Sequence, residues 1–188
     1  MKASNRVLNL HYSKMIIALT GFMGSGKSHV AACLAERMGC FFFDLDDTIE
    51  MEEGASVSDI FARKGEKAFR ELEYKYLERI FSDYEDFPTD MVLALGGGTV
   101  LNVNCTELLK TEATVVYLRE SVDELVRNLE ITGIGHRPLL AGTDNLSKSV
   151  QQLLSDRSGI YEKTADIIID ADGLEFDAVA AEIINRLP

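Results

Sequence analysis

Cations are scarce in this 188-residue chain: 19 lysines and arginines stand against 31 aspartates and glutamates, a formal net charge of −12. Nucleic acids and anionic membrane surfaces are bound by a basic stripe, so this balance excludes both as partners. An anionic ligand must instead be met by a few local lysines or arginines, and each cation beside a motif gains weight. Cysteine is sparse as well. Cys33, Cys40 and Cys105 form no CxxC pair and meet the three histidines at no zinc-ligand spacing. They read as reduced thiols of a cytoplasmic protein, with Cys33 packed in the interior. No run approaches the roughly 20 apolar residues of a membrane span, and there is neither an internal repeat nor a low-complexity tract. "MKASNRVLNLHYSK" lacks the apolar centre of a signal peptide. Residues 1–14 are expected to be a short leader, and 15–188 a single domain long enough to bury a substantial core.

Five short apolar runs are present: "MIIAL" (15–19), "FFFDL" (41–45), "MVLAL" (91–95), "TVVYL" (114–118) and "DIIID" (166–170). Each is bounded by polar or glycine-containing segments, as buried parallel strands are. Helical patterns lie between them at 27–38, 66–82, 121–129, 145–156 and 175–186, the second placing Phe69, Leu72, Tyr76 and Ile80 on one face. The alternation predicts an α/β domain of three layers, a parallel sheet covered by helices on both sides. "SDYEDFPTD" (82–90) reads as an acidic surface loop, and "ITGIGHRPLLAGTDN" (131–145) as a longer mobile one. Ligands of open α/β sheets bind beyond the carboxyl ends of the strands, so the residues after each run carry the functional reading.

"GFMGSGKS" (21–28) follows the first strand and opens the first helix, and Gly21, Gly26, Lys27 and Ser28 match G-x-x-x-x-G-K-[ST]. Such a loop wraps phosphate in backbone N–H groups at a helix N-terminus, its lysine reaches the β and γ phosphates, and its hydroxyl binds magnesium. A nucleoside triphosphate is expected, with water, a small molecule or a protein as the acceptor. After the second strand, Asp44 and Asp46 alternate by two, which in an extended chain points both carboxylates one way. One can hold a magnesium-bound water and the other can take a proton from an acceptor hydroxyl, while Asp47 or Asp46 caps the helix at "TIEMEE". "LGGGTV" (95–100) permits close approach of backbone to a ligand. "HRPLL" (136–140) places Arg137 in a glycine-containing loop with Leu139 and Leu140 able to pack down, the pattern of a lid that brings a cation to a transferring phosphoryl group. Arg70 alone reads as half of an i, i+3 pair with Glu73, and Arg157 as a cation complementing the end of its helix.

Taken in order and spacing, "GFMGSGKS", "DLD", "GEKAFRELE", "LGGGTV", "RPLL" and "RSGIY" resemble shikimate kinase over about residues 15–187. The resemblance implies a P-loop kinase of the nucleoside-monophosphate-kinase type, with a central five-stranded parallel sheet, a helical substrate-binding region and a lid. It implies transfer of the γ-phosphoryl of ATP to the 3-hydroxyl of shikimate, on the way to chorismate and the aromatic amino acids, by a monomer using one Mg²⁺ ion. By this resemblance Gly24, Ser25, Gly26, Lys27, Ser28 and His29 cradle ATP, and Ser28 and Asp44 serve the metal. Asp46 holds shikimate hydroxyls and is the candidate base. Arg70 and Arg157 clamp the substrate carboxylate, with Glu73 orienting Arg70. Gly97 offers a backbone N–H to the substrate, and Arg137 reaches the phosphates.

The chain departs from that family in three places. Gly159 stands for the proline of R-x-P-x-Y, which predicts a looser turn. Glu130 stands where many members carry a base seven positions before the lid arginine, with Arg127 the candidate replacement. "DADGLEF" (170–176) lacks the arginine or proline that sandwiches adenine, and no site residue is assigned there. A kinase for another small acceptor, such as gluconate or a nucleoside monophosphate, and a non-catalytic regulator binding ATP or shikimate are the competing readings.

Overall fold

In the computed structural model, which describes residues 14–84, 86–135 and 137–188, all five apolar runs become strands of one parallel sheet. These are β1 (Ile16–Thr20), β2 (Phe41–Asp44), β3 (Met91–Ala94), β4 (Thr114–Arg119) and β5 (Ile167–Asp170), in the order β2-β3-β1-β4-β5. The helices are α1 (Lys27–Met38), α2 (Leu45–Glu53), α3 (Val57–Tyr84), α4 (Val103–Glu112), α5 (Val122–Thr132), α6 (Leu146–Thr164) and α7 (Phe176–Arg186). Apart from Lys14, the expected leader lies outside the described residues.

Strand alternation divides the core. Ile16, Ala18, Met91, Leu93, Val115 and Tyr117 face a layer that includes α2, α3, α4, α5 and α6. Ile17, Leu19, Val92, Ala94, Val116 and Leu118 face α1 and α7. Full burial of such side chains is worth roughly 1.5–3 kcal/mol each, so the central strands, apolar on both faces, anchor the three-layer fold. Cys105 is the fully buried thiol, while Cys33, expected inside, is only half-buried beside the α1/α7 layer.

Helix ends depart from expectation in ways that shape the site. Asp44, rather than Asp46 or Asp47, caps α2: its Oδ1 accepts the N–H groups of Asp46 at 2.9 Å and Asp47 at 3.3 Å. The chain therefore turns helical at Leu45, and Asp46 sits in a first helical turn instead of on an extended strand end. Helix α3 is two helical stretches joined at Gly65, whose φ of 80° and ψ of 169° interrupt the spiral. Helix α6 continues to Thr164, so Arg157 lies inside it, and the turn expected around Gly159 is helix. Helix α4 lies outside the helical patterns given above, although the Asn102 cap and the i, i+4 pair Cys105 and Leu109 mark it in the sequence. The 82–90 segment is more than a surface loop: the Phe87 ring meets those of Phe41 and Phe43, and Asp90 Oδ1 accepts the Met15 N–H.

Candidate active site

The carboxyl end of β1 runs into residues 21–26, and Gly26 begins α1 in a left-handed conformation, φ 71°, with no side chain capping the helix. Its first-turn N–H groups thus face the loop. Lys27 is only 8% exposed, and its Nζ donates to the main-chain oxygens of Gly21 at 3.0 Å and Phe22 at 2.8 Å. Burial draws its pKa down to about 8 against the opposing pull of Asp46, Asp44 and Glu120. Gly24, Gly26, Lys27, Ser28 and His29 line one cleft. Ser25 does not join them: its hydroxyl is buried and turned inward, leaving only its backbone for a ligand.

Ser28 Oγ donates to Asp44 Oδ2 at 2.5 Å, bringing α1 and the end of β2 together through two hard oxygens. That donor set fits Mg²⁺, which favours oxygen and keeps several waters or phosphate oxygens as ligands. Among the described residues no group of three or more His, Cys, Asp or Glu side chains gathers into an all-protein metal cage. Asp46 borders this cleft and a second one, and its Oδ1 is buried without a partner. Burial first, then Glu73 and Asp44, raise its carboxyl to about 7, Lys27 and Arg70 acting the other way.

The second cleft is lined by Phe61, Arg70, Glu73, the glycines 96–98, Arg157 and Leu139, among others. Here the triplet is required by crowding. A Cβ on Gly96 would lie 2.7 Å from both Asp46 Oδ1 and Glu73 Oε1, and one on Gly98 would overlap the Arg70 guanidinium. Gly97 is held from behind, where the Tyr161 hydroxyl donates to its carbonyl at 2.5 Å. Arg70 donates to Glu73 Oε2 at 2.6 Å and to Glu66 Oε1 at 2.9 Å, while the fully buried Glu73 accepts the Thr99 hydroxyl at 2.6 Å. Arg157, 6% exposed, stands over the Phe22 ring at 6.0 Å with one guanidinium nitrogen unpartnered. A carboxylate oxygen and a guanidinium nitrogen without partners in one cleft are open to a ligand that donates to the first and accepts from the second.

Met23, Asp46, Val57, Gly97 and Arg137 border both clefts. Arg137 precedes a 3-10 turn, Pro138–Leu140, in which Leu140 is fully buried, and its guanidinium donates to the Gly133 carbonyl. At the far end of the first cleft, Arg127 does not take the place of the family's basic residue. Arg127 forms an exposed pair with Glu124, and neither it nor Glu130 lines a cleft, since both project from the outer side of α5. Phe176 does line it, stacked on His29 with centroids 4.9 Å apart, and so does Asn128. An aromatic residue opening the last helix was the available signal for Phe176; Asn128 carried none.

The family model for shikimate kinase matches residues 23–188. A shikimate kinase of Chlorobaculum parvum is 39% identical over 184 residues, covering 94% of this chain and 93% of the relative. Among solved structures, shikimate kinase from Acinetobacter baumannii in complex with shikimate superposes with a TM-score of 0.84 at 31% identity, covering 94% of this chain and 97% of that one. The Bacteroides thetaiotaomicron shikimate kinase gives 0.81 at 30% identity, over 91% and 97%.

Proposed function

Since the chain belongs to the shikimate kinase family, we propose that its two joined clefts transfer the γ-phosphoryl group of ATP to the 3-hydroxyl of shikimate, yielding shikimate 3-phosphate and ADP. The observation that carries this reading is Asp46, whose unpartnered carboxylate oxygen lies where the phosphate-loop cleft opens into the cleft holding Arg70 and Arg157.

ATP lies along Gly24, Ser25, Gly26, Lys27, Ser28 and His29, the Ser25 contact made through its backbone. Ser28 and Asp44 would hold one Mg²⁺, which when bound would offset charge on the phosphate oxygens. Arg70 and Arg157 receive the shikimate carboxylate, Glu73 fixes the first of them, and the Gly97 N–H meets the ring substituents. Asp46 accepts the hydrogen bond, and then the proton, of the attacking hydroxyl. The new oxygen–phosphorus bond forms as the bond to the β-phosphate oxygen breaks, and ADP carries away that electron pair. Lys27 leaves its two carbonyl partners for phosphate oxygens, and Arg137 meets them from the lid side. Positioning and charge stabilisation supply most of the rate in such reactions.

A monomer whose residues 15–188 form a single kinase domain is part of the proposal. Among the described residues no helix is long and apolar enough to cross a membrane, and a cytoplasmic setting is part of the proposal. A coupled ADP-release assay offering shikimate, gluconate and nucleoside monophosphates tests the acceptor. Shikimate should raise turnover far above the others; gluconate or nucleotide turnover without a response to shikimate would replace the reading, and no turnover with any acceptor would favour a binding regulator.

A further inference from the structure

Two polar side chains beside the phosphate loop have no part in the chemistry just described. Glu120 directly follows β4, at the sheet end where the loop lies, and Asn128 sits two turns later on α5. The Asn128 amide nitrogen donates both to Glu120 Oε2 and to the Gly24 carbonyl, each at 3.1 Å. Gly24 is also packed tightly on the same helix, since a Cβ there would meet the Leu129 side chain at 3.1 Å. Helix α5 then ends at Thr132, five positions before Arg137, whose guanidinium returns to the Gly133 carbonyl.

The structure assigns Asn128 and Glu120 a positioning role: the Glu120 carboxyl orients the Asn128 amide, which ties the phosphate loop to the helix leading into Arg137 and thereby sets nucleotide affinity. This rests on the reading of the loop as a nucleotide site. Around Glu120 stand Lys27 from α1, Glu124 and Asn128 from α5, and Asp172 from the turn after β5. Burial, Glu124 and Asp172 lift its carboxyl to about 7, against Lys27 and Asn128. A bound polyphosphate adds negative charge nearby, favouring the neutral carboxyl further. Nucleotide therefore binds more tightly with Glu120 protonated, and affinity declines as pH rises through about 7. The share of this pH dependence owed to Glu120 is the part that Glu120→Gln removes.

The test titrates Mg-ADP calorimetrically into the full chain, Asn128→Ala, Asn128→Asp and Glu120→Gln at pH 6, 7 and 8, alongside thermal melts and the KM for shikimate. Loss of the tether should weaken ADP by about fivefold to tenfold in Asn128→Ala. Asn128→Asp, with no donor for Gly24 and a second carboxylate facing Glu120, should lose at least as much. Both should leave the melting temperature and the shikimate KM near those of the parent chain. Glu120→Gln still offers Asn128 an acceptor and should bind ADP with a shallower decline between pH 6 and 8. ADP affinities within twofold of the parent in both Asn128 variants would overturn the role, as would losses shared equally with shikimate KM and melting temperature. An unchanged pH slope in Glu120→Gln would remove Glu120 from it. ADP binding needs no acceptor, so failure of shikimate turnover would leave this comparison intact.

Discussion

Asp46 occupies the most conflicted position in the cleft: half-buried, beside two other carboxylates, with one oxygen left without a partner. A carboxyl held at about 7 in the fold and near 4 when unfolded favours the folded state only while protonated in both. Its contribution is complete below the lower value and is lost as pH rises through the higher one. Asp46→Asn should therefore melt several degrees above the parent chain at pH 8, a gain on the order of 1–3 kcal/mol that vanishes near pH 4. The same variant should lose turnover by about 10²–10⁴-fold while binding ADP almost normally by calorimetry. Normal turnover would strip Asp46 of the assigned proton transfer, and a lower melting temperature at pH 8 would contradict the strain described. Residue identity was legible at this position from the D-x-D spacing. Its surroundings were not, because Glu73 approaches from a helix about 27 residues further along the chain.

Among the elements, strands were the easiest to read, since a continuous apolar run has few other destinations than a sheet covered on both faces. Helix ends were harder. The sequence pattern ends this helix at 156 with a looser turn at Gly159, but tertiary packing carries α6 onward: Tyr161 is fully buried, its ring centroid 5.1 Å from that of Tyr117. Gly159 is exposed inside this helix, and a Cβ on it would meet nothing within 4 Å. Gly159→Ala should then stabilise the chain by about 0.5–1 kcal/mol, raising the melting temperature by roughly 1–4 °C with turnover unchanged. Thermal denaturation beside the ADP-release assay checks this; a lower melting temperature would mean that the glycine serves the helix in another way. The same tertiary override explains Asp44. A strand-end aspartate that accepts two N–H groups with one oxygen and the Ser28 hydroxyl with the other caps α2 while reaching the phosphate loop, two tasks that spacing divides between neighbours.

At the scale of the whole molecule, the site forms where the strands end, and the motifs that encode it were legible because each works through local backbone chemistry. The far end of the first cleft was not: the His29–Phe176 stack joins residues almost 150 positions apart, a pairing that no local pattern announces. The segment 131–145 covers the junction of the clefts through Arg137, Pro138 and Leu139. Its amide hydrogen exchange should slow when ATP and shikimate are present together, and more than with either alone; equal protection in all states would deny it a lid's part. One further property belongs to the shared wall of Met23, Asp46, Val57, Gly97 and Arg137. On the proposed reading ATP and shikimate both lean on this wall, and any linkage between two such guests is symmetric. Whatever factor ATP confers on the grip for shikimate, shikimate must return to ATP, so a measurement on one partner reports the cooperativity of both.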